Sequence, residues 1–127
     1  MTTQELTLPW PPSVNTIWRH IAIGGKPRTI ISKRGREYYD AVAAEVAVHG
    51  LAPYGFGDRL AVEVYAFPPY GRHRDLDNIL KATLDSLTKS SVWPDDSQID
   101  RLMVVRRPSV KRGRVHLVIS KIKESQA

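Results

Sequence analysis

Eight consecutive residues set the first constraint on this chain. Leu60, Val62, Val64 and Ala66 alternate with Ala61, Glu63, Tyr65 and Phe67, and the run stops at Pro68-Pro69. A period of two held over eight residues is that of a strand with one buried face. The paired prolines end it because they cannot donate to a sheet ladder. Such a strand needs neighbouring strands and a second layer over its apolar face.

The rest of the sequence supplies both. Glu5-Leu6-Thr7-Leu8 alternates in the same way before Pro9-Trp10-Pro11-Pro12. Two more strands are predicted at about 102–107 and 115–120, joined by Ser109-Val110-Lys111-Arg112-Gly113 as a basic hairpin tip. A helix is predicted over 32–49, with Ser32 as N-cap, Tyr39, Val42 and Val46 on one face and Gly50 as the stop. A second runs from about Asp77, read as its N-cap, to Lys89, with Leu76, Leu80, Leu84 and Leu87 turned inward. Residues 15–31, which include Gly24-Gly25 and Lys26-Pro27, read as a loop or a short hairpin. The order β-α-β-α-β-β predicts an α+β fold in which two main helices pack on one mixed sheet, within a single domain over 1–127.

Size and composition agree. A chain of 127 residues buries roughly two-thirds of its unfolded surface and needs no covalent staple. It has no cysteine, which excludes disulfides and thiolate metal sites. The N-terminal residues lack the pattern of a signal peptide, and no apolar run is long enough to span a bilayer. A soluble cytoplasmic protein with no membrane partner is expected. No glycine-rich phosphate loop is present, since Gly24-Gly25 lacks the length and the Lys-Ser/Thr ending, so no small-molecule cofactor is expected.

The net charge is +6, and its distribution says more than its size. Residues 19–36 carry six Lys or Arg and no acid, and residues 101–123 carry eight and no acid. Between them, residues 75–100 hold six of the thirteen acids, all aspartate. A charge run is ordinarily a solvated face. The alternative is a polyanion-binding surface around a carboxylate site for a divalent cation.

The chemical candidates are Asp75, Asp77, Asp95 and Asp96, with Lys81 beside them. If the chain is extended around Leu76, Asp75 and Asp77 project to one side together. Carboxylates without His or Cys are hard oxygen ligands suited to Mg²⁺ or Mn²⁺. A structural account competes: Asp77, Lys81, Asp85 and Lys89 have the i, i+4 spacing of an exposed salt-bridge ladder, Asp77 could be only a cap, and Pro94-Asp95-Asp96-Ser97 is ordinary turn chemistry. His20, His49, His73 and His116 show no ligand spacing. Trp10, Trp18 and Trp93 suit a core or an interface, although Trp18 among basic residues could stack on a base.

Three blocks resemble the RusA-type Holliday-junction resolvases, small dimeric endonucleases of bacteria and phages. They are Leu8-Pro9-Trp10-Pro11-Pro12-Ser13 with Asn15; Arg74-Asp75-Leu76-Asp77-Asn78 with Lys81 and Asp85-Ser86-Leu87-Thr88-Lys89; and Trp93-Pro94-Asp95-Asp96. The resemblance covers nearly the whole chain and departs from the family at Gly71-Arg72-His73-Arg74, where the arginine-dense approach to the first aspartate is diluted. It implies that Asp75, Asp77 and Asp96 are the essential acids and metal ligands, with Asp95 an adjacent candidate, and that Lys81 is the essential lysine. The implied activity is Mg²⁺-dependent (Mn²⁺ as substitute) hydrolysis that resolves four-way branched DNA by paired nicks, performed by a homodimer in recombination and repair. Arg19, Lys26, Arg28, Arg72, Arg74, Lys81, Lys111 and Arg112 are the expected DNA contacts. A non-catalytic DNA- or RNA-binding protein, or a nuclease for flaps and forks, are the competing functions.

Overall fold

The alternation at 60–67 places a strand at the heart of a four-stranded sheet. A computed structural model describes residues 3–71 and 75–123. The elements run β1 (Thr3–Pro9), α1 (Val14–Ile17), β2 (Trp18–Ile23), β3 (Lys26–Ile31), α2 (Lys33–His49), β4 (Leu60–Phe67), α3 (Leu76–Lys89), a 3₁₀ turn (Asp96–Gln98), β5 (Ile99–Arg106) and β6 (Arg114–Lys121). The main sheet has the order β1-β6-β4-β5, and β2-β3 form a separate two-stranded ribbon.

One face of the sheet is the core. Leu6 and Leu8 of β1, Leu60, Val62, Val64 and Ala66 of β4, and Val115, Leu117 and Ile119 of β6 are buried in one cluster with Tyr38 and Val42 of α2 and with Ile79 and Leu87 of α3. Each such aliphatic side chain contributes about 1.5–3 kcal/mol of transfer free energy. Trp93 is fully buried beneath α3, and its indole N–H donates to Thr88 Oγ1 at 2.7 Å. That tryptophan is therefore core.

The α+β class and mixed sheet are as the sequence predicts, and so are the ends of α2: Ser32 Oγ accepts from the Gly35 N–H at 3.0 Å, and Gly50 closes the helix at φ 63. Several details differ. Residues 15–31 form a third, short helix and a ribbon, so the hairpin alternative is the one realised. Strands β5 and β6 do not pair with one another, because β4 lies between them, parallel to β5 and antiparallel to β6. Residues 109–113 are therefore a crossing connection and no hairpin tip. Helix α3 is the long link that a parallel β4–β5 pair requires. Its buried residues are Ile79, Ala82, Thr83, Ser86 and Leu87, while Leu76, Leu80 and Leu84 are only partly buried against the core. The inner face is rotated from the predicted leucine stripe because Tyr38 of α2, with a buried hydroxyl, takes its place beside Thr83 and Ser86.

The ribbon is built on a two-residue turn. Gly24 and Gly25 have φ of 59 and 77, the doubly left-handed conformation that joins tightly twisted strands and suits glycine. At the ribbon's base the Ser32 N–H donates to the Ile17 carbonyl at 2.7 Å, and Ser32 Oγ donates to the Thr16 carbonyl at 2.6 Å. Ile31, Ile17 and Gly35 meet there so closely that a Cβ on Gly35 would lie 2.8 Å from the Ile17 carbonyl oxygen. The ribbon is thus clamped to the first turn of α2.

Candidate functional site

The candidate residues gather around helix α3. Asp75 is its N-cap, in extended conformation, and its side chain makes no capping bond. Its backbone carbonyl accepts from the Asn78 N–H at 3.1 Å instead. Asp77 lies in the first helical turn, where the positive end of the helix dipole favours a carboxylate. Two expectations are corrected by this start. Asp77 is no N-cap, and Asp75 and Asp77 do not alternate along an extended strand, because the chain is already helical at Leu76.

The salt-bridge ladder does not form. Asp77, Lys81, Asp85 and Lys89 share one side of α3, yet none of them is in an ion pair among the described residues. Asp75, Asp77 and Lys81 are exposed, and the carboxylates of Asp75 and Asp77 have no protein donor among the described residues. Lys81 instead lines a groove of about 450 Å³ together with Val14, Asn15, Trp18, His20 and Thr29. Across the ribbon, His20 Nδ1 and Thr29 Oγ1 are 3.1 Å apart.

At the far end of the same helix side, the Tyr39 hydroxyl of α2 donates to Asp85 Oδ2. Burial, followed by the bond to Asp85, raises the Tyr39 pKa well above its ordinary value, so it remains a donor. Asp96 follows Trp93-Pro94 and opens the 3₁₀ turn. Partial burial of its carboxyl is the main cause that raises its pKa, and Asp95 and Asp85 add to it. Asp95 is used differently. Its carboxylate accepts from the Ser97 N–H at 3.2 Å while Gln98 returns a bond to the Asp95 N–H, a closed capping box. Those backbone bonds, the Ser97 N–H first, lower the Asp95 pKa.

The structure therefore brings Asp96 into the electrostatic reach of Asp85 and Asp95, whereas Asp77 lies two turns back along α3, about 12 Å before Asp85. Among the described residues no three His, Asp or Glu side chains are close enough to hold one ion. The donor chemistry nonetheless fits a hard divalent cation. The chain has no cysteine to supply a thiolate, the carboxylates of Asp75 and Asp77 have no protein donor among the described residues, and Asp96 has the like charges of Asp95 and Asp85 beside it.

Apart from Lys81 in the groove, the expected anion contacts divide into three. Arg19, Lys26 and Arg28 are exposed on the ribbon. Lys111 and Arg112 are exposed beyond Val110, whose N–H donates to the Pro68 carbonyl at 3.0 Å, so their turn borders the segment that leads toward α3. Arg72 and Arg74, with His73, lie outside the described residues. Among the remaining histidines, His49 bonds the Glu45 carbonyl and His116 bonds Thr7 and Glu5, which are structural roles.

Tyr39, Asp85 and Thr29 join the site only in three dimensions. By sequence Tyr39 is a core position and Asp85 a rung of the ladder; the α2–α3 packing is what brings them together. Thr29 becomes a groove residue through its register with His20, which the Gly24-Gly25 turn fixes.

Comparison with known proteins supplies a further set of findings. The family model described as endodeoxyribonuclease RusA matches residues 9–120. The "crossover junction endodeoxyribonuclease RusA" of Escherichia coli K12 is 38% identical over 122 residues, covering 96% of this chain and 98% of that protein. The protein of the same name from Enterobacteria phage 82 is also 38% identical over the same span, and that of Escherichia coli O139:H28 is 35% identical. Among solved structures, the periplasmic domain of Helicobacter pylori MotB aligns at 15% identity and a TM-score of 0.41, over 96% of this chain and 76% of that one, too distant to bear on fold or activity. No helix among the described residues is long and apolar enough to cross a membrane.

Proposed function

The chain belongs to the RusA family of endodeoxyribonucleases, and from that premise we propose that it resolves Holliday junctions by Mg²⁺-dependent phosphodiester hydrolysis, with Asp75, Asp77, Asp96 and Lys81 as the residues that do the work. The observation that carries the residue assignment is the unspent state of the α3 start. Two carboxylates and an ammonium lie within two turns of one another, exposed, and among the described residues no capping bond or ion pair explains them.

Asp75, Asp77 and Asp96 would supply the carboxylates for the cation, and Asp96 would have to draw toward the start of α3 to complete the set, because the three do not converge on one point in this structure. When bound, a divalent ion lowers the pKa of a water and neutralises charge on the phosphate oxygens. Asp96, beside the like charges of Asp95 and Asp85, would be the carboxylate that gains most from a neighbouring positive charge. Asp95 is a supporting residue in this reading, because its carboxylate already caps the 3₁₀ turn. Lys81 faces the groove, where its ammonium can meet a phosphate and stabilise the negative charge that grows in the transition state. Arg19, Lys26, Arg28, Lys111 and Arg112 would hold duplex arms by their phosphates, and so would Arg72 and Arg74.

A four-way junction is cut in two opposed strands, so an isologous homodimer with one site per protomer suits it. Residues 1–127 act in this reading as a single endonuclease domain in the cytoplasm of a bacterium or a phage-infected cell. The test is Asp77→Asn. The variant should bind a junction as wild type does and cut it at less than a hundredth of the rate in Mg²⁺, and titration calorimetry with Mg²⁺ should lose the ion's binding heat. Near wild-type cutting would refute the assignment. Light scattering that gives the mass of one chain at working concentration would refute the dimer.

A further inference from the structure

The β2–β3 ribbon has two unlike faces, and only one of them belongs to the site. Residues directly opposed in an antiparallel ladder share a face. The register therefore puts Trp18, His20, Ala22, Pro27, Thr29 and Ile31 on one side and Arg19, Ile21, Ile23, Lys26, Arg28 and Ile30 on the other. Trp18, His20 and Thr29 of the first side line the groove with Lys81, so the second side points away from it.

That outer face has an ordered chemistry. Each of its three rungs pairs one cation with one isoleucine: Arg19 with Ile30, Ile21 with Arg28, Ile23 with Lys26. Every rung therefore sets a cation opposite an apolar side chain, with Lys26 and Arg28 next to one another along β3 and Arg19 at the base of β2. No acid occurs anywhere in residues 19–36, and Ile23 and Ile30 are 53% and 37% exposed. Three of the basic residues predicted to touch DNA are thus aimed opposite to the groove in which the strand to be cut would lie. The clamp at Gly35, Ile17 and Ser32 fixes that aim.

We propose that the ribbon is a two-sided separator: its groove face lies along the strand to be cut, and its outer face lies against a different duplex arm of the same junction. Charge complementarity selects DNA as the occupant, since three cations with no ion-pair partner among the described residues meet a phosphate backbone. The interleaved isoleucines suit the apolar contacts that side chains make with base edges and unstacked steps in a branched or bent duplex. The inference rests on the junction-cutting reading above and adds to it a division of the DNA between the ribbon's two faces.

The absence of cysteine makes a direct test possible. In the Asp77→Asn background, single His20→Cys and Ile21→Cys variants are labelled with a photoactivatable crosslinker and bound to a four-way junction whose arms are of distinct lengths. The label at 20 should react with the strand that wild type cuts, near the cut. The label at 21 should react with another arm. Reaction of both labels with one arm, or of the label at 21 only with a second copy of the chain, overturns the proposal. A second measurement uses the triple change R19Q/K26Q/R28Q, which alters only exposed side chains. Its log–log salt dependence of binding should fall by about 2–3 on the junction, at about 0.9 per phosphate contact, and stay unchanged on a linear duplex. An equal fall on both, or a fall on neither, overturns it. Both readouts report binding without metal, so failure of wild type to cut a junction would refute the activity while leaving the ribbon's placement to be decided by these results.

Discussion

Replacement of Gly35 by alanine tests the clamp that aims the ribbon. The new Cβ would lie 2.8 Å from the Ile17 carbonyl oxygen, 2.9 Å from Ile31 Cγ1 and 3.0 Å from Ile17 Cγ2. The carbonyl cannot withdraw freely, because it accepts the Ser32 N–H at 2.7 Å, and both isoleucines have stiff χ1 angles. In an open helix the same change would gain about 1 kcal/mol from propensity. Over-packing of a tight contact costs about 1–3 kcal/mol, and with a backbone atom as the nearest neighbour the upper half of that range applies, for a net loss of about 1–2 kcal/mol. Unfolding entropy of about 2.1 cal/mol/K per residue over 127 residues gives about 0.27 kcal/mol/K, so the melting temperature should fall by about 4–7 °C. Gly57→Ala is the matched control, since its Cβ would meet nothing within 4 Å, and a change within about 0.5 kcal/mol is expected there. Urea titration and scanning calorimetry of both variants give the comparison, with junction binding as a third readout. A Gly35→Ala protein as stable as the control would show that the ribbon's base yields, and the reasoning about a fixed aim would fail.

Other outcomes follow from the site. Lys81→Met should leave the melting temperature unchanged, because Lys81 is exposed and forms no ion pair among the described residues, while single-turnover cutting falls by about 10²–10³, the scale of one lost group aimed at developing charge. Asp96 has a raised pKa in the fold, so its ionisation opposes folding. That opposition grows as pH rises through the ordinary carboxylate range and is complete above the raised value. Asp96→Asn should therefore be at least as stable as wild type at neutral pH and lose the advantage in acid, while cutting is abolished; urea midpoints at pH 7 and about pH 3 decide it, and a less stable variant at neutral pH would contradict the sign. Asp58 runs the other way, since the Gly55 N–H first and then Lys121 lower its pKa, so Asp58→Asn should lose stability at neutral pH and regain parity as pH falls through the lowered value. Tyr39→Phe removes the donor to Asp85 and should cost about 1–2 kcal/mol in a urea titration and slow cutting at unchanged junction affinity.

How far the sequence is legible depends on how local each signal is. The alternation of β4 and the caps of α2 are written in adjacent residues, and they appear where they are predicted. The neighbours of β5 and β6 are not, because strand order is settled by which strand can fill the centre of the sheet, and β4, apolar on its whole inner side, takes it. The start of α3 shifts to Leu76 because Asp75 holds the extended cap conformation, and a carboxylate at either position reads alike in a sequence. That Lys81 stands one turn beyond Asp77 is legible from helical spacing, whereas the sharing of one side by Asp75 and Asp77 belongs to an extended chain that the helix start at Leu76 replaces. The crowding of Asp96 by Asp85 is not, since it arises where α3 passes the turn after Trp93. The two faces of the ribbon become readable once Gly24-Gly25 fixes the register, a turn whose residues suit a loop and a hairpin alike.

Strand β6 has a consequence in time as well as in space. It lies between β1 and β4 and pairs Thr3 with Ser120, the first described residue with nearly the last. During synthesis, β1, β4 and the helix that carries the acids all emerge before the strand that joins them. Long-range closure of this kind is slow and comes late. A nascent chain can thus hold Asp75, Asp77, Lys81 and Asp96 and still lack the floor on which they are placed. A chain cut short before residue 114 keeps all four residues and lacks the strand that joins β1 to β4, so it should show no cooperative unfolding transition in urea.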